Sequence, residues 1–376
     1  MKKITLLLLA ILTTFTVCKN YAQKPEVAAP QKKVKLGAYY FGGWGGKNIK
    51  DDGMPENAWA VGLPTHVSQR MYEEFGSRKA TWGWRDDNQR IMEQQIDLAA
   101  ENGLSYFAFC WFWSKDRAAM NEGQIKANTR NAPIYQFMNA SNNKRMQYCL
   151  MIANHKGAEI VGTDNWKAAA DFWIREYFKH PRYLTLNGKP VVMIFLPSET
   201  TIEGLAYLQQ AAKAAGLPGV EIVGLGVGKA KAENGYTSSS IYNTNPGYKK
   251  PSEEHTYAEL VKSHQDRWYV DVKTLPYIPV ATAGWDRRPW EGPKGLFGTG
   301  VSELSWYFVG KTPQQFENHL GAMVKWMENN PTQITQDKLA LIYAWNEMGE
   351  GSWLVPTLED PKGQYLKAIK NVVWTK

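Results

Sequence analysis

The chain has 376 residues, 44 Lys and Arg against 36 Asp and Glu, and a formal charge of +8. No run of Lys and Arg gathers on one predicted face, which excludes a nucleic-acid footprint. The six histidines lack paired ligand spacing, so neither a metal site nor a cofactor is expected.

The chain opens with two lysines, an apolar run from Ile4 to Leu12 and a short polar exit ending at Gln23, the layout of a bacterial secretory signal over residues 1–22. The apolar run is too short for a permanent membrane anchor, and no later segment approaches the roughly 20 apolar residues of a spanning helix. Export to the periplasm, cell surface or medium is therefore expected, with no integral membrane span. Cys18 follows Val17, where a lipoprotein signal wants a small residue. Removing residues 1–22 takes three lysines with it and leaves a charge of +5. Residues 23–35, rich in Pro, Ala and Lys, read as a flexible leader. Cys110 and Cys149, each inside an apolar run, read as buried thiols.

From residue 36 to the end, apolar strand-like runs alternate with amphipathic helical segments. Strands are predicted at 36–41, 104–111, 146–153, 190–196, 220–226, 240–244, 277–284 and 339–345. Helices fall between them. One covers 88–102 with Met92, Ile96 and Ala99 on its stripe, Asp87 as N-cap and Gly103 as its stop. Another covers 165–178. A third covers 313–328, with Thr312 as N-cap, Pro313 at the first helical position and Gln315 closing a capping box. The last covers roughly 362–373. Eight strands apolar on both faces and alternating with helices predict an α/β fold, a single (β/α)8 TIM barrel spanning 36–376. An open, doubly wound sheet would need a phosphate-binding turn, and Gly42-Gly43-Trp44-Gly45-Gly46 fails that spacing.

Active sites of such barrels form at the C-terminal ends of the strands. The residues there are Tyr39, Tyr40 and Trp44 after strand one, Trp111 and Trp113 after strand two, and Asn154 and His155 after strand three. Strand six contributes Tyr242, strand seven Trp285, Asp286 and Arg287, and strand eight Asn346, Glu347 and Glu350. Since side chains alternate along a strand, at most one of Tyr39 and Tyr40 points inward. Flat aromatic surfaces mixed with carboxylates and amides suit a sugar, which offers an apolar C–H face and a hydroxyl edge, so an oligo- or polysaccharide is the expected partner of a monomer. Glu347 and Glu350 are the expected catalytic pair. Two carboxylates close together, against Trp345 and Trp353, have their pKa values pushed up and apart, as a general acid and a general base require.

The segments YYFGGW, IMEQQIDLAAENGLSYFAFCWFW, MIANH, KHPRYLTLNGKPVVMIF, TAGWDRRPW and YAWNEMGEGSWLVPT together resemble glycoside hydrolase family 99 and its WbsX-like relatives, in order across residues 36–360. The resemblance implies a secreted (β/α)8 endo-acting α-glycosidase, with mannosides prominent among substrates and retention at the cleaved centre. The family's E-W-x-E-G motif maps onto Glu347 and Glu350. It implies that Glu347 assists the sugar's own 2-hydroxyl in attacking C1 and that Glu350 serves as general acid/base. Met348 stands where the family has Trp, and Arg287-Arg288 where WbsX-like members continue Asn-Thr. An arginine there could bind an acidic group, which admits a uronate- or sulfate-bearing glycan beside neutral mannan. Two other functions compete with hydrolysis: non-catalytic glycan binding in the same cleft, which would tolerate loss of either glutamate, and glycosyl transfer, a label that WbsX-like domains carry.

Overall fold

A computed structural model describes residues 32–113, 119–155, 157–226, 230–270, 275–296 and 305–374. The proposed signal segment and most of the leader lie outside these residues. Eight parallel strands form one sheet: β1 (Lys35–Tyr40), β2 (Tyr106–Trp111), β3 (Gln147–Ile152), β4 (Lys189–Ile194), β5 (Glu221–Leu225), β6 (Ser238–Ser240), β7 (Val280–Thr282) and β8 (Leu339–Tyr343). Neighbours in sequence pair in register, as in Gly37 with Tyr106 and Tyr106 with Gln147, and β8 returns to β1 through Leu36 and Ala340. The seam between β6 and β7 is held by Ser239, whose N–H donates to the Pro276 carbonyl at 3.0 Å while its own carbonyl accepts from Ile278 N–H at 2.9 Å. The sheet is thus a nearly closed (β/α)8 barrel, as the alternation of elements required.

The interior is packed solid. The Tyr106 hydroxyl donates to the Ala340 carbonyl at 2.9 Å, and its ring occupies the space above Gly37, where a Cβ would lie 2.3 Å from the ring. A side chain at 37 would therefore displace a core tyrosine. Cys110 and Cys149 are buried free thiols.

The surrounding helices are α1 (Gln89–Glu101), α2 (Ala132–Asn139), α3 (Thr163–Trp173), α4 (Ile202–Ala214), α5 (Tyr257–Val270), α6 (Pro313–Asn329) and α7 (Gln364–Val373). The predicted capping box of α6 is present in full, while α1 is capped by Asn88 rather than Asp87. Between β5 and β6 the described residues hold only a 3-10 turn, Ala232–Asn234, so the regular alternation breaks once. Strand six is Ser238–Ser240, two residues upstream of its predicted start, because three serines carry no apolar signal. No helix among the described residues is long and apolar enough to cross a membrane.

Candidate active site

Beyond β8 the chain makes a tight return. Asn346-Glu347 pairs antiparallel with Ser352-Trp353 across the 3-10 turn Met348–Glu350. Two glycines permit it. A Cβ on Gly349 would lie 2.0 Å from the Trp290 ring, and Gly351 has φ +79° with the Asp286 backbone nitrogen 2.3 Å from its would-be Cβ. The loop is anchored from outside by Arg78, whose Nη1 donates to the carbonyls of Asp286 at 3.0 Å and Met348 at 3.2 Å. Asp286 N–H in turn donates to the Glu350 carbonyl at 2.7 Å.

This return holds Glu347 and Glu350 at the barrel mouth in different surroundings. Glu347 is buried; its Oε1 accepts from the Tyr242 hydroxyl at 2.5 Å and its Oε2 has no hydrogen-bond partner among the described residues. Burial first, then the Glu350 charge, holds its pKa well above the usual carboxylate range, opposed by the Tyr242 hydrogen bond and by Arg287. Glu350 is more open, accepts from the Tyr343 hydroxyl, and lies 3.8 Å from Arg287 Nε. Trp345 faces the helical shell, its indole N–H donating to Gln95 of α1 at 2.6 Å, and Trp353 packs under Lys311.

An arc of rings borders the carboxylates. Trp290 neighbours His66 and Phe41, Phe41 neighbours Phe112, and His155 bridges Phe112 and Phe195. Phe195 then meets Tyr242 at 5.3 Å, Tyr242 meets Tyr343 at 5.0 Å, and Tyr343 meets Trp285 at 6.1 Å. Phe41, Phe112 and Phe195 are each the first residue past a barrel strand, so the rings are strand-end residues of inward parity. The long excursion between β1 and α1 closes part of the rim, where the Trp290 indole donates to the His66 carbonyl at 3.0 Å.

Of the residues expected at the mouth, Tyr242, Trp285, His155, Arg287, Glu347 and Glu350 are brought together. Tyr39 points inward, its ring 4.7 Å from Tyr242 and its hydroxyl on the Ile241 carbonyl, beneath the mouth. The others are placed differently. Tyr40 points outward and donates to Asp86 at 3.1 Å. Trp111 and Trp113 are buried on the helix side, Trp111 against Trp173 at 5.3 Å, because they share a parity opposite to Cys110 and Phe112. Trp44 is fully buried and donates to the Asn346 carbonyl at 2.7 Å. Asn346 clamps the Phe41 backbone, accepting from its N–H at 2.7 Å and donating to its carbonyl at 2.9 Å. Asn154 does the same for Leu196, tying β3 to β4. The Asp286 carboxylate, expected to meet substrate, is taken up by Arg78 and Arg288. Sequence reasoning passed over Phe41, His66, Phe112, Phe195, Trp290 and Tyr343; inward parity one residue past each strand would have found Phe41, Phe112 and Phe195.

No group of His, Cys, Asp and Glu suited to a metal ion occurs among the described residues. The site is thus the C-terminal mouth of a parallel barrel, with two unequal carboxylates edged by aromatic rings. The family model described as Glycosyltransferase WbsX matches residues 83–369, and the chain belongs to that family. WxcX, an uncharacterised protein of Xanthomonas campestris pv. campestris strain B100, is 22% identical over 302 residues, covering 71% of this chain and 39% of WxcX. The chain thus spans about two fifths of the length of that curated relative. In three dimensions it is similar to a family 99 endo-alpha-mannosidase from Bacteroides thetaiotaomicron, with 12% identity, TM-score 0.57, and 90% and 96% of the two chains covered. It is also similar to a glycoside hydrolase-like protein, with 12% identity, TM-score 0.59, and 94% and 98% covered. At such identities the likeness establishes the fold.

Proposed function

We propose that the chain is an exported glycoside hydrolase that cleaves α-linked, mannose-type or related polysaccharide internally and with retention, using Glu347 and Glu350. The observation that carries this reading is the pair itself. Glu347 is buried with one oxygen unpartnered, beside a more open Glu350 buffered by Tyr343 and Arg287. A buried carboxylate oxygen without a partner is costly, and a sugar hydroxyl would satisfy it. Glu347 then draws the proton from the sugar's 2-hydroxyl as that oxygen attacks C1, while Glu350 delivers a proton to the departing oxygen and later activates water. Tyr242 and Arg287 favour the charge that Glu347 must carry in this role.

One observation favours a second reading with the roles exchanged: burial and the Glu350 charge bias Glu347 toward holding a proton. Leaving-group dependence separates the two. On the first reading Glu350→Gln keeps much more activity on an activated aryl α-glycoside than on the natural linkage, Glu347→Gln is crippled on both, and a 2-deoxy substrate binds without turning over. The mirror-image result assigns the acid to Glu347. Transfer from an activated sugar donor without hydrolysis of any α-linked polysaccharide would overturn the hydrolase reading in favour of the transferase that the family description names.

A further inference from the structure

Arg130 stands apart from the other arginines around the mouth. It lies in the 3-10 turn Thr129–Asn131 that follows β2, and its guanidinium carbon sits 4.0 Å from the centre of the Phe112 ring, in the middle of the aromatic arc. The turn is fixed. Asn131 accepts from the Phe112 N–H at 2.9 Å and donates back to its carbonyl at 2.9 Å, and the Arg130 carbonyl presses against Gly42, where a Cβ would lie 1.9 Å away. Arg78 and Arg288 share the Asp286 carboxylate, Arg85 pairs with Asp87, and Arg287 faces Glu350. Arg130 has no carboxylate within ion-pair distance among the described residues. Among the described residues its one side-chain hydrogen bond is a long contact from Nε to Asn128 Oδ1 at 3.5 Å. The side chain is partly buried, and burial lowers its pKa, although a guanidinium stays charged at any ordinary pH.

A partly desolvated cation with no counter-charge among the described residues is unfavourable, and stacking on one aromatic face offsets only part of that cost. The edge of the guanidinium, with its paired N–H donors, is left unused, and that fork matches the two oxygens of a carboxylate or sulfate. We propose that Arg130 is an anion-recognition residue and that the glycan bears a carboxylate or sulfate group on the sugar seated at the β2 side of the mouth. The position is two strands round the ring from β8, so the anionic sugar adjoins the one being cleaved. This inference rests on the glycan-cleaving reading and narrows its substrate class. It moves the charge recognition expected of Arg287 and Arg288 to a residue that the aromatic arc presents with no ion-pair partner among the described residues.

Calorimetric binding, scored separately from cleavage, tests it on the full exported chain. The probes are a neutral α-mannooligosaccharide, a uronate-bearing oligosaccharide and a sulfated one of similar length. The parent should bind one anionic probe at least about tenfold more tightly than the neutral one, with an advantage that shrinks as salt rises. Arg130→Gln should abolish that advantage while leaving neutral binding unchanged and without lowering the thermal midpoint. Arg130→Lys should keep part of it for sulfate and less for carboxylate, since a point charge replaces the fork. Preference for one anionic probe over the other identifies the group. Equal binding of all three probes by the parent, an advantage that survives Arg130→Gln, or no binding of any probe overturns the proposal. Cleavage of neutral α-mannan with no anion preference would remove this inference and leave the hydrolase reading standing.

Discussion

Asp86 is buried on the outer side of β1, where its Oδ2 accepts from Tyr40 at 3.1 Å and from Asn346 at 3.3 Å, and its Oδ1 has no partner among the described residues. Burial raises its pKa to about 7, against which the Tyr40 and Asn346 hydrogen bonds act. A folded-state pKa above the unfolded value means that the fold prefers the neutral acid. That contribution is fully present below the ordinary value near 3.8 and is lost as pH rises toward about 7. Asp86→Asn removes the titration, so the variant's thermal midpoint relative to the parent should climb between pH 4 and pH 8; a difference flat across that range would refute the assignment. Because Asn346 precedes Glu347, the same measurement should be paired with a pH profile of activity. Trp285 offers a second test at this scale. It ends the aromatic arc against Tyr343, and Trp285→Ala should weaken oligosaccharide binding by about 1–3 kcal/mol, the scale of one large aromatic contact. Parent-like binding by a folded variant would show that the sugars sit elsewhere. These residues also show what the sequence held. Glu347 and Glu350 were visible because a loop with two carboxylates directly follows an apolar strand. Trp111 and Trp113 were misplaced because abundance of Trp was weighed above parity, and the outward face of β2, with Phe107, Phe109 and Trp111, is more aromatic than its inward one.

At the scale of elements, the return that carries both glutamates depends on a residue from the excursion after β1. Arg78 is buried, forms an ion pair with Asp286, and donates to two carbonyls of the loops it joins. Arg78→Met should cost roughly 3–5 kcal/mol of stability, because it leaves Asp286 with only Arg288 and frees the Met348 carbonyl. Activity should fall by more than Asp286→Asn alone causes, since the Glu350 turn loses its anchor. A variant as stable and active as the parent would mean the anchor is redundant. None of this was legible beforehand: Arg78 lies 208 residues from Asp286, and nothing local to either announces the pairing. Elements governed by local rules were legible. The α6 capping box is spelled out in Thr312-Pro313-Gln314-Gln315, and the apolar runs of β2, β3 and β8 locate those strands within two residues. β6 was the least legible element, since its three serines are held by bonds to neighbours, Ser238 to Glu221 and Ser240 to the Ile278 carbonyl at 2.7 Å.

The barrel as a whole is built unevenly, and its weakest join lies beside its chemistry. β2 and β3 pair over six residues, whereas β6 meets the chain before β7 through the backbone of Ser239 and the Ser240 hydroxyl among the described residues, and the connection entering β6 holds a single 3-10 turn among its described residues. Local opening free energies span from near zero up to the global value, and segments with few apolar contacts and short ladders open first. Amide exchange should therefore be fastest in the barrel at Ser239 and Ile278 and slowest along β2 and β3. The seam also feeds the site. Ile241, the next residue past β6, receives the Tyr39 hydroxyl at 2.8 Å, and Tyr242 after it donates to Glu347. A saccharide that engages Glu347 and Tyr242 would hold the start of this loop in place from above. Exchange at Ser239 and Ile278 should then slow severalfold on saturation with a bound oligosaccharide, while β2 and β3, already rigid, change little. The same experiment with Tyr242→Phe separates the coupling from general stabilisation, because the ring remains and only the hydroxyl, with its bond to Glu347 and its contact with the Cys110 thiol, is lost. Protection at the seam should shrink in that variant even where the saccharide still binds. Equal protection throughout the barrel, or an unchanged seam in the parent, would mean that ligand binding and barrel closure are independent.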